Sequence, residues 1–272
     1  MDPRPIGVFD SGVGGLTVFQ ALEASLPGES LVYLGDTARV PYGSKSAETV
    51  VRYGIEAAHF LRQRRVKMLV VACNTASSVA LPAIAREAEV PVLGVILPGA
   101  RRAVERSRSG NIGVIGTRGT IGSGAYTRAI HELRPDARVA SHPCPLFVPL
   151  AEEGWTDNDV TRRVAEMYLA PLRASEVDTL VLGCTHYPLL KATIARVMGP
   201  EVELVDSAGS VAAEASDWLA RHPELAAPAG GTGRDRHHFF VTDVPGPFAE
   251  VAERFLGHPI GRLERAKIEE FH

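Results

Sequence analysis

An α/β fold with mostly parallel sheets is predicted by three features of the chain: recurrent short apolar runs, helical segments between them, and a weak internal repeat. The runs IGVFD, SLVYLG, KMLVVAC, VLGVI, NIGVIG, ARVASH, DTLVLGC, EVELVD and HHFFVTD are rich in Val, Ile and Leu, the pattern of buried strands. Segments such as SAETVVRYGIEAAHFLRQRR and VTRRVAEMYLAPLRASE, which have helical spacing, separate them. Strand and helix in alternation make βα units and hence a parallel sheet. The repeat sets IGVFDSG at Ile6 beside IGVIGTR at Ile112, 106 residues on, and LVVACNTASS beside LVLGCTHYPL, 111 residues on.

Similar offsets in the same order predict two related, doubly wound α/β halves with a crevice between them. Residues 1–97 with 208–272 would form the first half and residues 98–207 the second. The Pro-Gly pair of ILPGA, near Pro98, marks the first crossing, and VDSAGS, near Ser207, the return. The Gly- and Pro-rich segment HPELAAPAGGTGRDR reads as an exposed loop, after which the final strand and helix most simply rejoin the first half. In open parallel sheets ligands bind beyond the carboxyl ends of the strands, where this chain places DSG, GDT, CNT, GTR and CTH.

Composition narrows the function classes. The 272 residues can bury a full core, with 45% hydrophobic residues, 22% charged residues and a net charge of −3. The basic side chains are scattered and almost all arginine, so no nucleic-acid partner is expected. The start MDPRPIGVFD has no secretory pattern and no apolar run is long enough to span a membrane, so a cytoplasmic protein with no membrane partner is expected. Three cysteines in a reducing compartment argue against a disulfide framework and leave packing, metal binding or catalysis.

Along the chain, DSGVGGLTV places Gly12, Gly14 and Gly15 between a strand and a helix but lacks both the dinucleotide spacing and a Gly-Lys-Ser/Thr ending. Asp10 would also repel phosphate there, so the stretch reads as a tight turn presenting amides to a carboxylate. GVIGTRGTIGSG has no acidic partner at the distance a dinucleotide site needs. A lone cysteine is most often a small buried hydrophobe. Cys73 and Cys184, however, each end a strand and are followed by polar groups, Asn74 and Thr75 or Thr185 and His186, which an apolar core does not tolerate unpaired. Cys144, flanked by prolines, reads as structural. Zinc is disfavoured because no short Cys-x-x-Cys knuckle exists, and a redox dithiol because the thiols are far apart in sequence.

The stretches FDSGVGGLTV, GDTARVPYGSKS, ACNTASS, GVIGTRGTI, CPLFVPLAEEG and LGCTHYPLL together resemble, in order and over nearly the whole chain, the cofactor-independent bacterial glutamate racemases. The resemblance implies two α/β domains with the active site between them, interconversion of L- and D-glutamate for peptidoglycan, no metal and no cofactor, and usually a homodimer. It implies Cys73 and Cys184 as the acid/base groups on opposite faces of the substrate Cα, Cys73 handling the D-isomer's proton and Cys184 the L-isomer's. Asp10 would assist Cys73, and His186 with Glu152 would assist Cys184. Ser11, Pro41, Tyr42, Gly43, Asn74, Thr75 and Thr185, with Asp10, His186, Thr117 and Asp36, would hold substrate polar groups.

Thiols suit this chemistry because their unperturbed pKa, about 8.5, lies near working pH. The Cα proton is far less acidic, so hydrogen bonds to the substrate carboxylate must stabilise the developing carbanion. Pyridoxal phosphate, the common alternative, needs a Schiff-base lysine, and Lys45 of YGSKS reads instead as a surface residue at a helix start. An aspartate racemase or another cysteine-based racemase of the superfamily is the nearest rival. A silent amino-acid-binding protein has no reason to keep both thiols with their carboxylate and imidazole neighbours.

Overall fold

A computed structural model of the chain describes residues 1–227, 236–244, 246 and 248–268. The strands are β1 (Ile6–Asp10), β2 (Leu31–Gly35), β3 (Met68–Val71), β4 (Val92–Gly94), β5 (Asn111–Gly116), β6 (Arg138–Pro143), β7 (Thr179–Gly183), β8 (Glu203–Asp206), β9 (His238–Val241) and β10 (Arg262–Arg265). They form a six-stranded sheet in the order β10-β9-β2-β1-β3-β4 and a four-stranded sheet in the order β6-β5-β7-β8. All the ladders are parallel. Strands β1, β2, β3 and β7 are buried at every residue, as their unbroken apolar runs require.

The order β2-β1-β3-β4 in the first sheet is repeated as β6-β5-β7-β8 in the second. The chain leaves the central strand of each sheet toward one side and returns on the other, which opens a crevice at the carboxyl ends of the central strand and its second neighbour. Asp10 ends β1 and Cys73 follows β3 by two residues, whereas Thr117 follows β5 and Cys184 follows β7 directly. The two halves of the sequence repeat thus put their polar residues at matching places.

Several sequence expectations need adjustment. The run VLGVI is divided, with β4 ending at Gly94 and a helix beginning at Ile96. Pro98 lies in the first turn of that helix, Ile96–Arg106, where its missing N–H costs nothing, so a helix and not a loop carries the chain to β5. Helix Ser207–Arg221, capped by Asp206, carries it back from β8. These two helices pack against each other and Arg101 pairs with Glu214 between them. Strand β10, which no apolar run announced, extends the first sheet beyond β9. Most of the predicted loop 222–236 lies outside the described residues.

One continuous core joins the sheets. It runs from Ile6, Val8 and Phe19 through Val211 and Ala215 to Val114 and Val181, while a second cluster around Phe9, Leu34, Leu61 and Ile84 fills the far face of the first sheet. The turn after β1 is fitted tightly into this packing. A Cβ on Gly15 would stand 2.3 Å from Asp10 Cβ, and one on Gly14 would stand 2.4 Å from Thr185 Oγ1 of the other half. Thr17 Oγ1 also donates to the Thr185 carbonyl at 2.9 Å.

Gly15→Ala is therefore expected to destabilise the fold by about 1–3 kcal/mol, because the strand-bound Asp10 cannot retreat. Gly122→Ala, which meets nothing within 4 Å, should stay within about 0.5 kcal/mol of the parent. Denaturant midpoints of the two variants check this, and equal midpoints would contradict it.

Candidate active site

The first half supplies a buried carboxyl and a thiol. Asp10 is 0% exposed; its Oδ2 accepts the Gly12 N–H at 2.9 Å, and its Oδ1 has no hydrogen-bond partner among the described residues. Burial raises its pKa, against the opposing pull of His186 and the Gly12, Gly15 and Ser11 N–H groups. Cys73 caps helix Asn74–Val79, accepting the Ala76 N–H on its sulfur at 3.5 Å, and its thiol donates to Ser11 Oγ at 3.5 Å. Burial, and then the charge of Asp10, push the Cys73 thiol up to about 12. At neutral pH Cys73 accordingly holds its proton.

The second half surrounds its thiol differently. Cys184 leaves β7 with its Sγ 3.8 Å from His186 Nδ1, and His186 Nε2 lies 2.8 Å from Glu152 Oε1 at the end of helix Phe147–Glu152. Burial lowers the imidazole's pKa, but the bonds to Cys184 and Glu152 outweigh it and push His186 up to about 10. As an imidazolium it donates one N–H to the carboxylate and aims the other at Sγ, where it favours negative charge. Phe255 packs its ring edge-to-face on His186 at 5.1 Å.

Both thiols line one cavity of about 70 Å³, together with Ser11, Pro41, Tyr42, Gly43, Asn74, Thr75, Thr117, Glu152, Thr185 and His186. A water molecule occupies roughly 10–15 Å³ on this scale, so the space suits a small amino acid and not a nucleotide. Asp10 stands behind this wall. Asp36 does too: it accepts from Tyr42 Oη at 2.5 Å, Arg39 Nε at 2.7 Å and Thr242 Oγ1 at 2.9 Å, and so braces Tyr42 from outside the cavity. Thr75, Thr117 and Thr120 form a triangle of hydroxyls at 2.9–3.2 Å that joins the two halves.

Val40 and Val148, which sequence reasoning did not select, also line the cavity, as does Gly12 of the amide-presenting turn; all three lie within stretches that carried the resemblance. Cys144 is buried elsewhere, its Sγ 3.7 Å from the His142 carbonyl. No lysine or arginine is among the lining residues, and Lys45 is not part of the wall. A more open groove of about 480 Å³ runs between helices Ile96–Arg106 and Ser207–Arg221, but charged surface residues line it and it holds neither a thiol nor an imidazole. The smaller cavity is the one equipped for acid–base chemistry. Among the described residues no group of three or more His, Cys, Asp or Glu side chains is placed to hold a metal ion.

Comparison with known proteins agrees with this geometry. The profile of the Asp/Glu/Hydantoin racemase family matches residues 6–215. A glutamate racemase of Geobacter metallireducens is 55% identical over 266 residues, 98% of this chain and 97% of that one. Among solved structures, a glutamate racemase isoform from Bacillus anthracis superposes with a TM-score of 0.93 at 41% identity, covering 98% of this chain and 99% of its own. The glutamate racemase of Francisella tularensis in complex with D-glutamate does so at 0.92 and 36% identity over the full length of both. With two thiols facing one cavity between paired parallel sheets, the chain belongs to the Asp/Glu/hydantoin racemase family, in its glutamate racemase branch.

Proposed function

We propose that this chain interconverts L- and D-glutamate by proton exchange at Cα between Cys73 and Cys184, without metal or organic cofactor. The observation that carries the reading is that two thiols from two different sheets line one cavity of amino-acid size, each with its own acid–base company. In one direction the Cys184 thiolate removes the Cα proton, the electron pair passes toward the substrate carboxylate, and the Cys73 thiol returns a proton to the opposite face. The reverse direction exchanges the roles. Burial that keeps Cys73 protonated suits it as the acid of the first direction, and the His186 imidazolium facing Cys184 favours charge on the base.

Since no lysine or arginine lines the cavity and both ring nitrogens of His186 are directed at Cys184 and Glu152, the substrate carboxylates must be held by neutral donors. The hydroxyls of Ser11, Thr75, Thr117 and Thr185, the Asn74 amide and the backbone N–H groups of the loops after β1, β3, β5 and β7 take that role. We further place the protein in the cytoplasm as a homodimer that supplies D-glutamate for peptidoglycan. Among the described residues no helix is long and apolar enough to cross a membrane.

Cys73→Ala and Cys184→Ala are each expected to lower kcat/KM for glutamate racemisation by at least about a thousandfold, on the scale of a lost general acid or base. Circular dichroism of isolated protein supplied with either enantiomer reads the rate. An inactive parent, or either variant within tenfold of it, would contradict the proposal.

The pH profile tests the imidazolium. Because its partners push His186 up to about 10, activity that begins with Cys184 as base should fall as pH rises through that value. Glu152→Gln removes a group that raises the imidazole's pKa, so the alkaline limb should move to lower pH. The shift should be larger starting from the isomer that Cys184 deprotonates. An unmoved limb would remove His186 from this role.

A further inference from the structure

Asn74 lines the cavity but is held from behind by two residues that the sequence did not mark as part of a site. Tyr126, on helix Ala125–Leu133 of the second half, lies with its Oη 2.7 Å from Asn74 Oδ1. Ser207, at the start of the helix that returns to the first half, has its Oγ 3.2 Å from Asn74 Nδ2. Asn74, Tyr126 and Ser207 are 3%, 2% and 0% exposed.

The two ends of a side-chain amide have nearly the same shape, so neighbouring hydrogen bonds decide which end faces which way. Ser207 can donate or accept and imposes no choice. Tyr126 does impose one. Its single hydroxyl proton has Asn74 as its hydrogen-bond partner among the described residues, and a buried O–H left without an acceptor is costly. Were the amide reversed, Nδ2 would donate to the phenol oxygen and strand that proton. With Tyr126 donating to Oδ1 the phenol proton is paired, Ser207 Oγ takes one Nδ2–H, and the second Nδ2–H is left for an acceptor in the cavity.

The ring cannot drift from this position. A Cβ on Gly99 would come within 3.1 Å of it and one on Gly183, the residue before Cys184, within 3.0 Å. The glycines make a slot between the crossing helix and β7 in which the phenol is wedged.

We infer that Tyr126 is a positioning residue that locks the Asn74 amide with its N–H toward the cavity, making this subsite a donor for a ligand carboxylate. The inference rests on the reading of the cavity as a glutamate site. In a cavity without lysine or arginine, a reversed amide would replace an attraction with a carbonyl facing a carboxylate, so the lock bears on substrate affinity.

Four proteins test it: the parent, Tyr126→Phe, Asn74→Ala and the double variant, each measured for kcat and KM with both glutamate enantiomers. Tyr126→Phe keeps the ring and loses only the hydroxyl. It is expected to raise KM roughly tenfold while kcat changes less than about threefold. In the Asn74→Ala background the same change should alter KM by less than about twofold, because the hydroxyl then has no amide to orient. A Tyr126→Phe effect of equal size in both backgrounds, or none in the parent, would overturn the inference. Side-chain amide ¹⁵N–¹H spectra give an arm that needs no turnover. The Asn74 pair, identified by its loss in Asn74→Ala, should move in Tyr126→Phe, and an unmoved pair would overturn the inference. A parent that does not racemise glutamate would sink the substrate reading alone, and the spectra would still decide the role of Tyr126.

Discussion

The proposed proton exchange needs a group on each face of one carbon, and loops from two opposed sheet rims can supply one from each side. This constraint accounts for the architecture. Two sheets with the same strand order, β2-β1-β3-β4 and β6-β5-β7-β8, bring their carboxyl edges to one cavity, and a cysteine follows β3 in one and β7 in the other. Holding the edges in register is the task of the packing between them. The helices Ile96–Arg106 and Ser207–Arg221 lie against each other, and the core passes without a break from Ile6 to Val181. The glycines after β1 let the first half approach Thr185 and His186 of the second with no side chain between.

On this symmetric scaffold the electrostatics are asymmetric. Cys73 is buried beside a carboxyl that is itself buried, and both conditions favour its neutral thiol. Cys184 faces an imidazole that Glu152 helps to keep protonated. The two thiols therefore have different surroundings, as suits a reaction that needs one acid and one base in each turnover. Three buried tyrosines brace the cavity. Tyr33 donates to the Gly12 carbonyl at 2.7 Å, Tyr42 to Asp36 at 2.5 Å and Tyr126 to Asn74 at 2.7 Å. Each phenol hydroxyl is satisfied by a loop residue at or just behind the wall, so loops that would otherwise move are tied to the core.

The parallel α/β class was legible because both-face burial writes unbroken apolar runs, and the repeat was legible because corresponding strands keep similar sequences. Strand β10 was not, because RLER carries three charged residues around one leucine and lies at the edge of the sheet, where burial imposes little. Pro98 did not reveal that the segment between β4 and β5 is helical, since proline occurs both in turns and in a helix's first turn, and only the i−4 bonds of the following residues distinguish them. At the site, Cys73 with Asn74 and Thr75, and Cys184 with Thr185 and His186, stood out as polar groups at the mouths of buried strands. Glu152 was reached through family resemblance alone, and its bond to His186 spans 34 residues. Tyr126 carried no signal and Ser207 only that of a chain crossing, because tyrosine and serine are ordinary in helical patterns and their meeting with Asn74, 52 and 133 residues away, exists only in the fold.

The two-thiol exchange makes one demand that no single-base route shares. The thiol that returns a proton to Cα is not the one that removed it, so the hydrogen on the product comes from solvent. In heavy water, starting from one glutamate enantiomer, mass spectrometry of the separated enantiomers at low conversion should find the product labelled at Cα and the remaining substrate largely unlabelled. Substantial retention of the original hydrogen in the product would contradict the account, because it would mean that one group carries the proton from face to face.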